Sequence, residues 1–443
     1  MKLPAGEDCG PVIASRGPRL RREAIVVVLG QVGVAGAGLA GLRLLTTLLS
    51  PEEFGRLALG LSIAALFQQV AFGPLVVASL RYAAGAFDEG SLDRLVGTVD
   101  RLLFQLAVVS VAVSSLAAVV LPSAGLLSWV PLGGLCLWFS IASAAFSTRL
   151  SVDAALRRRE LVAIMQVGAE VGRFALASAV IVLLGQPSAG AAMAGFAAAL
   201  TMAAFVQRRR MATSGTLDIA WRGVLVAFAR PLAVTGGLTW AQMASDRWSL
   251  NALMSAAHVG AYSAIYQIAI APFTLVGTTV QQLLAPIVFR MAGKDGDRAA
   301  VSASHLPVLS AVTILLVLTA AGSLVAWLLH EEIFHVLVGP AFATYSRLLP
   351  LGVVAGGLLA AGQVVSTTIM SRGVTSELMV PKAVTALFGA ALNVIGAWLY
   401  GVVGVILATI AFALIFFVWM YRMAAQPVHD ASQPVESTDT ERR

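Results

Sequence analysis

Three arginines of this 443-residue sequence, Arg43, Arg173 and Arg247, fall inside long apolar runs, where an ionised side chain is costly. Two carboxylates accompany them. Glu170 lies one helical turn before Arg173, and Asp246 adjoins Arg247. A guanidinium presents a planar fork of donors that suits anionic oxygens, whereas amides and hydroxyls suit neutral polar groups. Such neutral groups recur at helical spacing. Thr235, Thr239, Gln242, Asp246 and Ser249 share one face of a helix, as do Gln166, Glu170 and Arg173. Ser263, Gln267, Thr274, Thr278 and Gln281 fall close to one face of the next run. Other runs carry Gln31, then Ser62, Gln68 and Gln69, then Gln363, Ser366 and Thr367.

Two roles are open to these stripes. They surround a wet cavity, or they form interhelical hydrogen bonds that only hold a bundle together. The second is the expectation for Ser and Thr alone, the first for the charged groups. Glu170 and Arg173 can pair with each other and be electrically silent. Arg247 is expected to meet Asp246 only through another helix, because adjacent residues point about 100° apart. Arg43 has no carboxylate three or four residues away, so it either faces a cavity or snorkels to an interface. The candidate cavity residues are therefore Arg43, Gln31, Gln69, Arg173, Gln242, Arg247 and Gln267, with Asp246 and Glu170 as candidates for ion coupling.

No catalytic constellation accompanies them. The sequence has no nucleotide-binding loop and no GxSxG, and its five histidines and two cysteines (Cys9, Cys136) form no metal-binding array. No metal or cofactor is expected. The net charge of +7 is read as membrane topology rather than nucleic-acid binding.

The elements that must position these residues follow from composition. Apolar residues make up 58% of the chain and charged residues 12%, against roughly 25% charged in an average soluble domain. That excludes a soluble enzyme, a disulfide scaffold and a disordered chain. The long continuous runs exclude a membrane β-barrel. The fold class is all-α, a polytopic membrane protein of twelve spans: 24–48, 56–80, 99–121, 126–148, 161–184, 188–206, 224–253, 259–288, 305–329, 343–371, 378–399 and 402–421. With the N-terminus inside, 25 of the 30 Lys and Arg residues lie in inside segments or at the inner ends of spans, and only Arg56 and Arg347 at the outer side. This asymmetry predicts cytoplasmic termini and an even number of crossings. The longest outer segment is 330–342, too short for a soluble domain. Residues 1–23 read as a cytoplasmic tail and 422–443 as a disordered one.

The chain also contains a repeat. LLSPEEFGRLALGLS (48–62) and LMSAAHVGAYSAIYQ (253–267) share a Leu-x-Ser turn and a glycine opening the next helix. Phe54-Gly55 matches Val259-Gly260 at an offset of 205 residues, and Arg43 and Arg247 fall one residue out of step. Two six-helix lobes follow, 24–206 and 224–421, joined by a cytoplasmic linker, 207–223, and arranged around a central cavity.

Four segments together resemble one family. These are RLLTTLLSPEEFGRLALGLSIAALFQQVAFGPLVVASLRY (43–82), SDRWSLNALMSAAHVGAYSAIYQIAIAP, VLVGPAFATYSRLLPLG (336–352) and LNVIGAWLYGVVGVILATI (392–410). In this order the sequence is similar to the polysaccharide transporters, the Wzx-like flippases of the multidrug/oligosaccharidyl-lipid/polysaccharide exporter superfamily. It departs from their pattern in lacking a proline before the last turn and in having Ala256-Ala257 where the first hairpin has the Pro51-Glu52-Glu53 start.

The resemblance implies a flippase, not an enzyme. It would move polyprenyl-diphosphate-linked oligosaccharide across the bacterial cytoplasmic (inner) membrane by alternating access, for lipopolysaccharide or exopolysaccharide assembly. Membrane lipids, a polysaccharide polymerase and chain-length machinery would be its partners. A drug/cation antiporter of the same superfamily would rely more on cavity carboxylates. A lipid-II-type flippase would usually have two further helices, and a membrane enzyme of polysaccharide assembly would need a large outer loop.

Overall fold

In a computed structural model of the chain, residues 17–120, 129–211, 217–292, 298–371 and 379–425 are described. Among them the protein is helical throughout, with no strand. The helices are α1 (Gly17–Leu48), α2 (Pro51–Phe67), α3 (Gly73–Asp88), α4 (Leu92–Val120), α5 (Val130–Ala155), α6 (Arg159–Leu184) and α7 (Ala189–Arg210). They continue as α8 (Ile219–Leu253), α9 (Ala256–Ile265), α10 (Ala271–Ala292), α11 (Arg298–Leu337), α12 (Leu349–Ser371) and α13 (Met379–Ala425). Two π-helical segments, Gln68–Phe72 and Tyr266–Ile270, join α2 to α3 and α9 to α10 without a break.

Among the described residues, eleven helical segments are long and apolar enough to cross a membrane. One of them, Ala383–Ala425, has 43 residues, about twice what a bilayer requires. It breaks at Gly401 (φ 58°, ψ −132°), a left-handed position that suits glycine. There the chain doubles back, so that a Cβ on Gly404 would collide with the Gly396 carbonyl. The segment is therefore two spans, and among the described residues the total is the expected twelve. Large apolar side chains cover the outside, such as Leu183 at 83% exposure, which only hydrocarbon accommodates.

The helices run further than their apolar runs alone. Residues 17–23, expected in the N-terminal tail, are helical, as are Arg208–Arg210 of the expected linker. Arginines on a last turn complement the helix dipole and extend it toward water. The outer segment expected at 330–342 is not a loop. A kink at Leu329 is followed by helix to Leu337 and a 3-10 helix over Pro340–Leu348. The two tails before residue 17 and after residue 425 lie outside the described residues.

Two compact units are distinguishable. The first contains the chain to Ile268, with His330–Arg347 and Asn393–Val405. Its core includes Phe72, Leu75, Leu95, Val99, Val152 and Leu225. The second contains Ala269–Leu329, Leu348–Leu392 and the chain from Ile406. Val312, Leu315, Val364, Ile369, Phe416 and Met420 pack at its centre.

The repeat appears in the first unit as a reciprocal contact. A Cβ on Gly55 would fall on the Ala256 carbonyl, and a Cβ on Gly260 would fall on the Pro51 carbonyl. Gly55 with Gly260, and Pro51 with Ala256, are each 205 residues apart, so the starts of α2 and α9 cross backbone to backbone about a local two-fold. These two helix starts are capped differently. Ser50 accepts a hydrogen bond from the Glu53 amide at 3.2 Å, whereas Ser255 shares one of 2.8 Å with His258 Nδ1.

Candidate binding cavity

A cavity of about 240 Å³ lies within the first unit, bounded by α1, α2, α6, α7, α8, α9 and the two π segments. Its lining repeats the duplication. Gly38, Leu42, Ala58, Leu61 and Ser62 line it from the first copy, and their counterparts at the offset of 205, Met243, Arg247, Ser263, Tyr266 and Gln267, line it from the second. In each pair the second copy carries the larger or more polar residue. The α1–α2 wall supplies space, and the α8–α9 wall supplies chemistry.

Arg173 and Arg247 both line the cavity. Arg173 pairs with Glu170 at 2.5 Å, one turn away on α6, and lies against the rings of Phe174 (4.9 Å) and Phe196 (5.0 Å). Arg247 also contacts a carboxylate directly, contrary to the expectation that it needs another helix. Its Nη1 reaches back to Asp246 Oδ1 at 3.3 Å and donates to the Met243 carbonyl at 3.1 Å. The long arginine stem overcomes the angular separation of adjacent positions. Asp246 is buried and also accepts from the Tyr262 hydroxyl at 2.7 Å, while the Arg247 guanidinium lies over Tyr266 at 4.7 Å.

Among the remaining expected site residues, Gln69 and Gln267 line the cavity. Each belongs to a π-helical segment, whose extra residue per turn shifts side chains relative to α-helical spacing. Gly236 lets α8 approach the first of these segments, since a Cβ there would strike the Gln69 carbonyl. Gln31 and Gln242 are half-buried and lie outside the lining. Arg43 is outside it too. Its guanidinium donates to the Val338 carbonyl just past the end of α11, and the neighbouring Thr46 hydroxyl accepts from the Gly339 amide at 2.9 Å. Arg43 is thus neither isolated nor a cavity cation, but a clasp on a helix end.

The polar stripe expected to face the cavity from α8 does not. Thr235 and Thr239 donate to carbonyls of their own helix, and the lining face is Trp240, Met243, Ala244 and Arg247. Of the next stripe, only Ser263 and Gln267 line the cavity. Thr274 and Thr278 bond their own helix, and Gln281 donates to the Gln363 carbonyl and the Ser366 hydroxyl within the second unit.

Sequence reasoning missed Trp240 and Tyr266. Trp240 Nε1 donates to the Ser62 carbonyl at 2.7 Å, and Trp248 Nε1 to the Ser62 hydroxyl at 2.9 Å. Two indoles on one helix thus fix a single serine of α2. Their spacing of eight residues, two helical turns, was the available signal. Among the described residues no group of three or more His, Cys, Asp or Glu could hold a metal ion.

No protein-family model and no curated protein matches the sequence. Solved structures do. The chain is similar to the lipid II flippase MurJ in an inward closed conformation, with a TM-score of 0.66 and 12% identity over 91% of this chain and 88% of that one. A MOP superfamily transporter from Pyrococcus furiosus gives 0.62 and 15% over 92% and 94%. A variant of the MATE transporter VcmN from Vibrio cholerae gives 0.61 and 16% over 93% and 96%. The chain shares the fold of these solved transporter structures, and it is a multi-span helical membrane protein.

Proposed function

We propose that the chain is a flippase that moves a polyprenyl-diphosphate-linked oligosaccharide across the bacterial cytoplasmic membrane by alternating access. The observation that carries this reading is the pair of arginines, Arg173 and Arg247, on different walls of one cavity, surrounded by aromatic and amide side chains. A diphosphate-sugar headgroup is too strongly hydrated to cross hydrocarbon unaided. Guanidinium forks match phosphate oxygens, and the amides and hydroxyls match sugar hydroxyls. The polyprenyl tail stays in lipid throughout. In this reading both termini are cytoplasmic, as the basic residues indicate, and the product feeds polysaccharide assembly, with a polymerase and chain-length machinery as partners. The two six-helix lobes of the repeat rock about the site.

Purified protein in liposomes tests this directly. Flipping of a fluorescent polyprenyl-diphosphate oligosaccharide is expected to depend on the protein, and a deletion strain is expected to accumulate the lipid-linked intermediate. Failure of both sinks the reading.

One observation favours a drug/cation antiporter of the same superfamily. Each cavity arginine is already paired with a carboxylate, so the formal charges of the cavity balance. A cationic drug would then compete for Glu170 or Asp246. Gradient-driven efflux of a lipophilic cation by the same liposomes, with no movement of the lipid-linked sugar, would establish that reading instead.

A further inference from the structure

We propose that Trp240, with the Ser263 hydroxyl and the Gln69 and Gln267 amides, forms a subsite for a pyranose ring. This rests on the lipid-linked reading above and assigns part of the cavity to the sugar rather than to the diphosphate.

Several polar groups of the cavity are already engaged. Arg173 and Arg247 are held by Glu170 and Asp246. The Ser62 hydroxyl donates to the Leu59 carbonyl at 2.7 Å and accepts from Trp248. What remains is neutral. Ser263 is 4% exposed, lines the cavity, and its Oγ is buried without a hydrogen-bond partner. Among the described residues the Gln69 and Gln267 side chains also line the cavity without a partner. A buried hydroxyl left unpaired is costly and marks a place where a ligand or water completes the bonding. An amide offers a donor and an acceptor together, the complement of a sugar hydroxyl, which is both.

Trp240 supplies the other requirement. A pyranose has one face of C–H bonds, which stacks on an aromatic ring whose face is electron-rich. The bond from Trp240 Nε1 to the Ser62 carbonyl fixes the indole before any ligand arrives, so little side-chain entropy remains to be lost. Trp240, Ser263 and Gln267 all belong to the α8–α9 wall, and the smaller residues of the α1–α2 wall leave room opposite.

The test is binding to the full-length protein in detergent. The probes are farnesyl diphosphate and the same lipid carrying glucose, galactose or N-acetylglucosamine. At least one sugar-bearing probe is expected to bind about tenfold more tightly than bare farnesyl diphosphate. Trp240→Ala should reduce that preference to about twofold or less by weakening the sugar-bearing probes more than the bare one, while Trp240→Phe keeps most of it because a flat ring remains. A melting curve on each variant checks folding, and Trp240→Phe decides the matter if Trp240→Ala is unstable. Equal affinity of the wild type for bare and sugar-bearing probes overturns the subsite, as does an equal loss for both kinds of probe on substitution. Binding of neither kind by the wild type overturns the lipid-linked reading itself, and the subsite with it.

Discussion

The hairpins α1–α2 and α8–α9 match at an offset of 205 residues, yet only the second carries charge into the cavity. Arg43 and Arg247 look equivalent in sequence, near the end of the first helix of each copy. They differ by one register step. The true counterpart of Arg247 is Leu42, which lines the cavity, and the counterpart of Arg43 is Trp248. One residue is about 100° of helix, so Arg43 turns away and clasps the Val338 carbonyl, while Arg247 lines the site. The two hairpins thus match in backbone contacts, as Gly55 and Gly260 show, and differ in side chains. One copy became a small, mostly apolar wall and the other a polar, aromatic one.

The largest expected effect breaks the Asp246–Arg247 pair. Asp246→Asn leaves a buried guanidinium uncompensated and should cost about 3 kcal/mol, read as a fall in melting temperature in detergent. A neutral result would show that Arg247 is not stabilised from its own helix. Next come the two glycines. Gly55→Ala and Gly260→Ala each push a methyl into a backbone carbonyl and should each cost about 2 kcal/mol, by the same measurement. Their reciprocity requires similar losses, and a tolerated substitution at one position alone would break the two-fold.

A sharper contrast comes from the arginines themselves. Arg43→Gln should cost about 1 kcal/mol through the lost bond to Val338, with farnesyl diphosphate binding unchanged. Arg247→Gln should weaken that binding about tenfold or more. Comparable binding defects in both would restore Arg43 to the site. The smallest effect concerns Glu170, whose pair with Arg173 is half-buried and lies on one helix. Glu170→Gln should cost about 1 kcal/mol, and neutralising both residues should recover it. Gradient-dependent transport by that double variant in liposomes would exclude Glu170 as the coupling site and leave Asp246 as the acidic candidate.

Much of the fold was legible because hydrocarbon imposes a single rule: every span must be helical and apolar for about 20 residues. The twelve spans, the repeat and its offset follow from runs such as 224–253 and from the Phe54-Gly55 and Val259-Gly260 pairs. The site was legible only in part. Glu170 with Arg173 could be paired from spacing, because both sit on one helix. The stripe through Thr235 and Thr239 misled, because hydroxyls can satisfy themselves on their own carbonyls and leave no trace of this in composition.

The sequence by itself determined the all-helical class and the number of spans, since each depends on local hydrophobicity along the chain. Only the tertiary structure decided which face of each helix lines the cavity. That depends on helix rotation, which a π-helical segment or a single register step changes by roughly a quarter turn or more. It moved Arg43 onto a helix end, kept Arg247 at the cavity, and brought Gln69 from one copy and Gln267 from the other into a single lining.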